Sequence, residues 1–154
     1  MNVLFHTATA VGLFSAVNNS SFNSFVKGGI FFFGGIIIHG ILDYTPHCYP
    51  LDAKMDVIIS TLVITFLLIG VQRENRVLLF ISILGNTFPD LIDLGPSMFN
   101  KYLGFNIPII DKVFPWHWKE YSGSLYSGDC RVSHFNHCAV ILGVFISVVL
   151  NKSD

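Results

Sequence analysis

Apolar residues fall into five runs separated by short polar breaks. Val3 to Val17 is interrupted by His6, two Thr and a Ser, and Phe25 to Leu42 carries no charge but contains His39. Val57 to Val71 and Val77 to Phe88 are uncharged, the latter continuing through Pro89 and Asp90 to Leu94. Val132 to Leu150 has His134, Asn136 and His137 near its start. Crossing a bilayer takes about 20 helical residues, a length that the second and fifth runs reach cleanly. A water-soluble bundle would need a polar stripe on each outer helix, and the window Ile58 to Ile69 offers no charged residue at all. The pattern predicts an all-α integral membrane bundle of about five helices. It forms a single domain over 1–154, with a long loop at about 95–131. No basic segment precedes the first run and His6 interrupts it, so it is read as a helix rather than a cleaved leader.

If each run crosses once, the chemistry sorts to one side. Taking the end at which residue 1 lies as the near end, the second and fourth helices finish there with His39, Asp43 and His47 and with Asp90 and Asp93. The first and fifth helices begin there with His6 and with His134 and His137, and the long near-end connection carries His117. All six histidines and eight of the ten acidic residues thus converge on the near end. His39 and Asp43 are spaced i,i+4 on one helix face with Gly35, while Asp90 with Asp93 and His134 with His137 are spaced i,i+3, so each pair can aim at one point. The polar cluster is expected at one membrane face.

Composition sharpens this picture. Hydrophobic residues make up 52% and charged residues 12% of 154, mean hydropathy is +0.60, and net charge is −1. Ordinary soluble domains carry about 25% charged residues. The balance excludes a nucleic-acid surface, which needs a basic patch. Imidazoles and carboxylates inside a hydrocarbon boundary are costly unless they pair or bind an ion. The candidate metal ligands are His6, His39, Asp43, His47, Asp90, Asp93, His134 and His137. A mixed N/O set suits a divalent metal, Zn foremost with Mn or Fe also compatible, as one or two ions, rather than Ca or Mg.

Other residues have plainer readings. Asp52 and Asp56 precede the third helix, where acids complement the helix dipole. His117 lies between Trp116 and Trp118 and reads first as part of an interfacial aromatic belt. Lys119 and Arg131 read either as partners of a phosphate headgroup or, foremost, as interface anchors. Cys48, Cys130 and Cys138 lack CxxC spacing, so they define no zinc finger, and a Cys48 to Cys130 disulfide requires an oxidising near face.

The series His6, then His39-Gly40-Ile41-Leu42-Asp43-Tyr44-Thr45-Pro46-His47, then Gly85-Asn86-Thr87-Phe88-Pro89-Asp90-Leu91-Ile92-Asp93, then His134-Phe135-Asn136-His137 resembles small bacterial membrane proteins described as membrane-bound metal-dependent hydrolases. The resemblance spans most of the chain except 99–129. It implies metal ligation by His6, Asp90, Asp93, His134 and His137, and residence in the bacterial inner membrane. The chain departs from that family in its late segment, which reads Arg131-Val132-Ser133-His134-Phe135-Asn136-His137 in place of a His-Arg-Gly-x-Thr-His form.

The expected function is metal-dependent hydrolysis at the bilayer surface, on a membrane lipid or lipid-linked phosphoester, with Asp43 or Asp90 as general base. Trp116, Trp118, Tyr121 and Tyr126 would seat the long loop at the headgroups, with the Gly/Ser-rich stretch 122–128 as a lid. The alternatives are a non-catalytic metal-binding, sensing or transport protein, or a structural subunit of a membrane complex. Positive charge is denser on the short far-end connections, so the His/Asp face is expected to be extracytoplasmic.

Overall fold

In a computed structural model, which describes residues 1–123 and 130–151 apart from the side chains of 130–132, the chain is all-helical, with no strand among the described residues. The helices are α1 (Val3–Asn18), α2 (Ser24–Tyr44), α3 (Ala53–Gly70), α4 (Arg76–Asp93), α5 (Gly95–Leu103) and α6 (Cys130–Leu150), with single 3₁₀ turns at Arg73–Asn75 and Pro115–His117. The count is six where the apolar pattern predicts about five. The addition is α5, an amphipathic segment that opens the stretch read as loop from 95 to 131. Its Gly95-Pro96 start follows the helix-initiating position of proline, and Gly104, at φ 70°, ends it.

Among the described residues three helices, α2, α3 and α6, are long and apolar enough to cross a membrane, and α4 with α5 makes a fourth span only if that pair, bent by 70°, counts as one. α1 has 16 residues, a length of about 24 Å against a hydrocarbon core of about 30 Å. α3 exceeds its apolar run because Asp52 accepts from the Lys54 and Met55 amides at 3.0 and 3.2 Å, adding a polar first turn.

The five long helices alternate in direction. His6 meets His39 while Phe14 meets Phe31, so α1 and α2 are antiparallel. Thr9 donates to the Asn86 side chain and the Ser82 hydroxyl to the Ala10 carbonyl, so α1 and α4 are antiparallel too. Phe5 stacks on His137 and Ser147 donates to the Gly12 carbonyl, so α1 and α6 run parallel. The ends therefore sort as the alternation predicts. The side chain of Arg131, together with Lys152, Asp154 and the 124–129 segment with Tyr126 and Asp129, lies outside what is described.

The exterior is greasy and the interior polar, the reverse of a water-soluble bundle. Phe25, Phe33, Phe66, Phe145 and Leu150 face outward. His6, Thr7, His39, Ser60, Ser82 and Asn86 are fully buried. A small apolar nucleus of Ala10, Leu79 and Ile83, flanked by Phe14, Ile64 and Leu67, fills the middle. What sets the site is the crossing of α2 and α4. A Cβ on Gly85 would lie 2.4 Å from the Phe32 carbonyl oxygen, and one on Gly35 would lie 2.7 Å from the Asn86 nitrogen, so two bare backbones touch. Gly85→Ala should lower stability by about 1–3 kcal/mol by prising the helices apart. Gly29→Ala, where a Cβ meets nothing within 4 Å, should not, and the two are compared by thermal unfolding in detergent.

Candidate metal centre

The helix crossing carries His39 and Asp43 from α2 to the same level as Asp90 from α4. Between Gly85 and Asp90, Pro89 has no N–H to give the Gly85 carbonyl, and Asn86 turns its own carbonyl toward α2. His39 Nδ1 lies 2.6 Å from that oxygen. A carbonyl can only accept, so Nδ1 carries the hydrogen and Nε2 presents its lone pair to the interior.

A second imidazole arrives from outside the helices. Asp93, at the end of α4, accepts from the Val113 amide at 2.8 Å, the Phe114 amide at 3.0 Å and His117 Nδ1 at 2.8 Å. The Trp116 indole lies over Gly40, where a Cβ would come within 2.8 Å of the ring. Lys112 donates to the His117 carbonyl and the Trp118 indole to the Lys112 carbonyl, closing the turn. His117 is thereby pinned with Nδ1–H on a carboxylate and Nε2 pointing at His39 Nε2, 3.3 Å away.

His39, Asp43, Asp90 and His117 form a group that could hold a metal ion, each offering one ligand atom and all four atoms lying within 4.8 Å of one another. Asp43 Oδ2 is 3.2 Å from both imidazole Nε2 atoms. Asp90 Oδ1 is 3.3 Å from His117 Nε2 and 3.7 Å from His39 Nε2. Imidazoles whose second nitrogen donates to a carboxylate or a carbonyl are the usual companions of a bound metal, because that bond fixes tautomer and ring orientation.

The sequence-predicted residues divide. His39, Asp43 and Asp90 are in the group. His6 stacks on His39 with ring centroids 3.8 Å apart, and its Nε2 lies 3.2 Å from Asp43 Oδ1. The Met1 amino group contacts the same oxygen. Asp93 orients His117 from behind. His47 is buried with Nδ1 on the Thr45 carbonyl at 2.8 Å, and burial followed by the nearby Met1 amino group pushes its imidazole down to about 4. His137 is buried against Phe5 at 4.3 Å. His134 is exposed, and the structure brings none of His47, His134 and His137 into the group of four. Asp56 caps α1, accepting from the Val3 and Leu4 amides at 2.8 and 3.2 Å.

The member that sequence reasoning left in the aromatic belt is His117. Its flanking tryptophans do pack as aromatic contacts, Trp116 against Phe114 and Trp118 against Tyr121, but they turn the histidine inward. Helix alternation already placed it on the near end. Asn86 contributes through a backbone carbonyl, which no residue type advertises.

Burial pulls the His117 imidazole down, but its hydrogen bonds to the Asp43, Asp90 and Asp93 carboxylates outweigh this and lift it to about 9. A histidine raised on folding adds stability that is complete below about 6.5 and disappears as pH climbs through about 9. Chelator-treated protein should therefore lose thermal stability between pH 7 and 9.5, and His117→Gln should flatten that dependence in a melting series. No family model, curated protein or solved structure matches this chain.

Proposed function

We propose that this is a membrane-embedded, metal-dependent hydrolase that cleaves a lipid or lipid-linked phosphoester at the near face, using a divalent ion, zinc foremost. The observation that carries the reading is the triangle of His39 Nε2, Asp43 Oδ2 and His117 Nε2, with sides of 3.2, 3.2 and 3.3 Å. Ligand atoms about 2.0–2.1 Å from a tetrahedral ion lie about 3.3–3.4 Å apart, so the triangle suits an ion of that size. Two imidazoles and one carboxylate match hydrolytic zinc sites, which leave the fourth position to water or substrate.

Asp90 suits the work beside that fourth position. It is the most exposed of the four, with 14% of its side chain accessible, and it lines a large cavity. Held by His39, Asp43 and His117, a divalent ion would polarise the phosphoryl oxygen and bring the pKa of water toward neutrality. Asp90 takes a proton from the water whose oxygen attacks phosphorus. The P–O bond to the lipid alcohol breaks, and the proton passes from Asp90 to the departing oxygen, so water and phosphoester yield alcohol and phosphate. Asp43 then reads as ligand rather than base, because His6 and the Met1 amino group hold its other oxygen away from the triangle.

The same reading puts the near face outside a bacterial cytoplasmic membrane. Cys48, on the near-end connection, is disulfide-bonded, which suits an oxidising compartment. The pairing with Cys130 considered from sequence involves a side chain outside the described residues. Lys27, Arg73 and Arg76 cluster at the far-end breaks, in keeping with the positive-inside tendency. A fluorescent reporter fused beyond α6 should accordingly fold in the cytoplasm and glow, and a dark fusion active as a periplasmic phosphatase reporter would reverse the orientation.

Purified protein should carry zinc and hydrolyse at least one member of a lipid phosphoester panel, losing the activity with chelator and regaining it with zinc. Asp90→Asn should keep the metal while kcat falls by about 10²–10⁴, and His39→Ala should lose the metal itself. Undiminished turnover in Asp90→Asn, or turnover indifferent to chelator, would overturn the assignment.

A further inference from the structure

Three of the four residues, Asp43, Asp90 and His117, stand at one pole of a cavity of about 1270 Å³. Lys112 and Lys119 stand with them. Much of the remaining wall is apolar, with Val57 and Ile64 on α3 facing Phe80, Leu84 and Leu91 on α4, interrupted by Thr61 and Thr87 and by Asp52 and Asp56 at the start of α3. From Asp90 to Phe80 is ten residues of one helix, about 15 Å at 1.5 Å per residue. That is half the hydrocarbon thickness of about 30 Å. The cavity's extent along α4 therefore matches the depth of about one leaflet.

Its flank is α3, a sparsely enclosed helix, as α6 is. Only Asp56 and Ser60 are buried along it, while Leu62, Phe66 and Ile69 face outward. Such a shape is wrong for a water-borne substrate, which would gain nothing from fifteen ångströms of aliphatic wall. It is right for an amphiphile that never leaves its leaflet. Lys112 and Lys119 stand among the carboxylates of Asp43, Asp52, Asp56 and Asp90, so an anionic head is called for by the metal that the hydrolase reading places there, while the depth calls for one hydrocarbon chain of one leaflet.

We infer that the α3–α4 groove holds the hydrocarbon chain of a phosphate-headed lipid that reaches the His39/Asp43/Asp90/His117 group sideways from the near-face leaflet. This rests on the hydrolase reading for its head and on the groove alone for its tail. Each methylene buried is worth about 0.8 kcal/mol, close to fourfold in apparent affinity. Selectivity should thus climb steeply with chain length and level off once the chain spans the groove.

The test uses hexadecylphosphonate bearing a diazirine near its terminal methyl, whose C–P bond no phosphoesterase cleaves, with the full chain in vesicles of zwitterionic lipid. Photolabel mapped by mass spectrometry should concentrate on α3 and α4 around Thr61, Ile64 and Phe80. Thr61→Trp should cut that labelling at least severalfold, whereas Ile141→Trp, on the outer face of α6, should leave it unchanged. Labelling spread evenly over the exposed faces, or insensitive to Thr61→Trp, overturns the groove even if phosphoesters are hydrolysed. Concentrated labelling without any phosphoester turnover would keep the groove and sink the hydrolase.

Discussion

Two imidazole nitrogens facing each other at 3.3 Å, each with its partner nitrogen already committed as a donor, constitute the constraint on which this structure turns. Lone pairs so placed repel, and two carboxylate oxygens complete the set within 4.8 Å. In a low-dielectric interior such a concentration of electron density cannot stand without a positive charge among it. A proton on one imidazole serves, as the raised affinity of His117 for its proton indicates. A divalent cation would serve better, since it would meet all three atoms of the triangle at once where a proton meets two.

The surrounding architecture keeps those atoms from relaxing apart. Ordinary helices stand 8–10 Å axis to axis, held off by side chains. Gly35 and Gly85 remove that spacing, and the Asn86 carbonyl reaches His39 only because the helices touch there. The stacked His6 ring blocks His39 from swinging toward α1, while the oxygen of Asp43 that faces His6 steers its partner oxygen into the triangle. Polar residues that do not belong to the group of four thus decide whether it exists. Large apolar side chains on the outside contribute none of this, which is why the few charges of a greasy chain can be concentrated at one end of it.

Much of this was legible in the sequence, and the illegible part has a physical reason. Apolar run length gives the five long helices closely, because a helix in lipid must satisfy its backbone within itself. Alternation of direction then brings His6, His39, Asp43, Asp90 and Asp93 to one end without knowledge of any contact. Helix α5 escapes the pattern since it is short and amphipathic, with Lys101 and Asn100 breaking its apolar character. His117 escapes because its placement depends on three hydrogen bonds to a carboxylate twenty-four residues earlier. Its neighbours, two tryptophans, are equally at home at any membrane interface. The histidines at the start of α6 illustrate the converse: His134 and His137 have ligand-like spacing, yet one faces outward and the other packs on Phe5. Spacing along a helix says that two side chains share a face, and only the neighbouring helices decide what that face meets.

The contribution of a ligand from a loop also has an energetic side. Ordering the five residues from Val113 to His117 costs roughly 5–10 kcal/mol in backbone entropy at about 1–2 kcal/mol each. Three hydrogen bonds to the Asp93 carboxylate, at about 1.5–3 kcal/mol apiece, return a roughly equal amount. The turn is therefore close to balance before His117 Nε2 is counted, and whatever positive charge sits at that nitrogen decides whether it stays in place. Lys112, His117 and Lys119 of this same segment also wall the polar pole of the cavity. An ion held by His39, Asp43 and His117 would therefore do two things at one location: it would fix the loop-borne imidazole and close the polar end of the groove. A helix-borne ligand in place of His117 would give the first without the second.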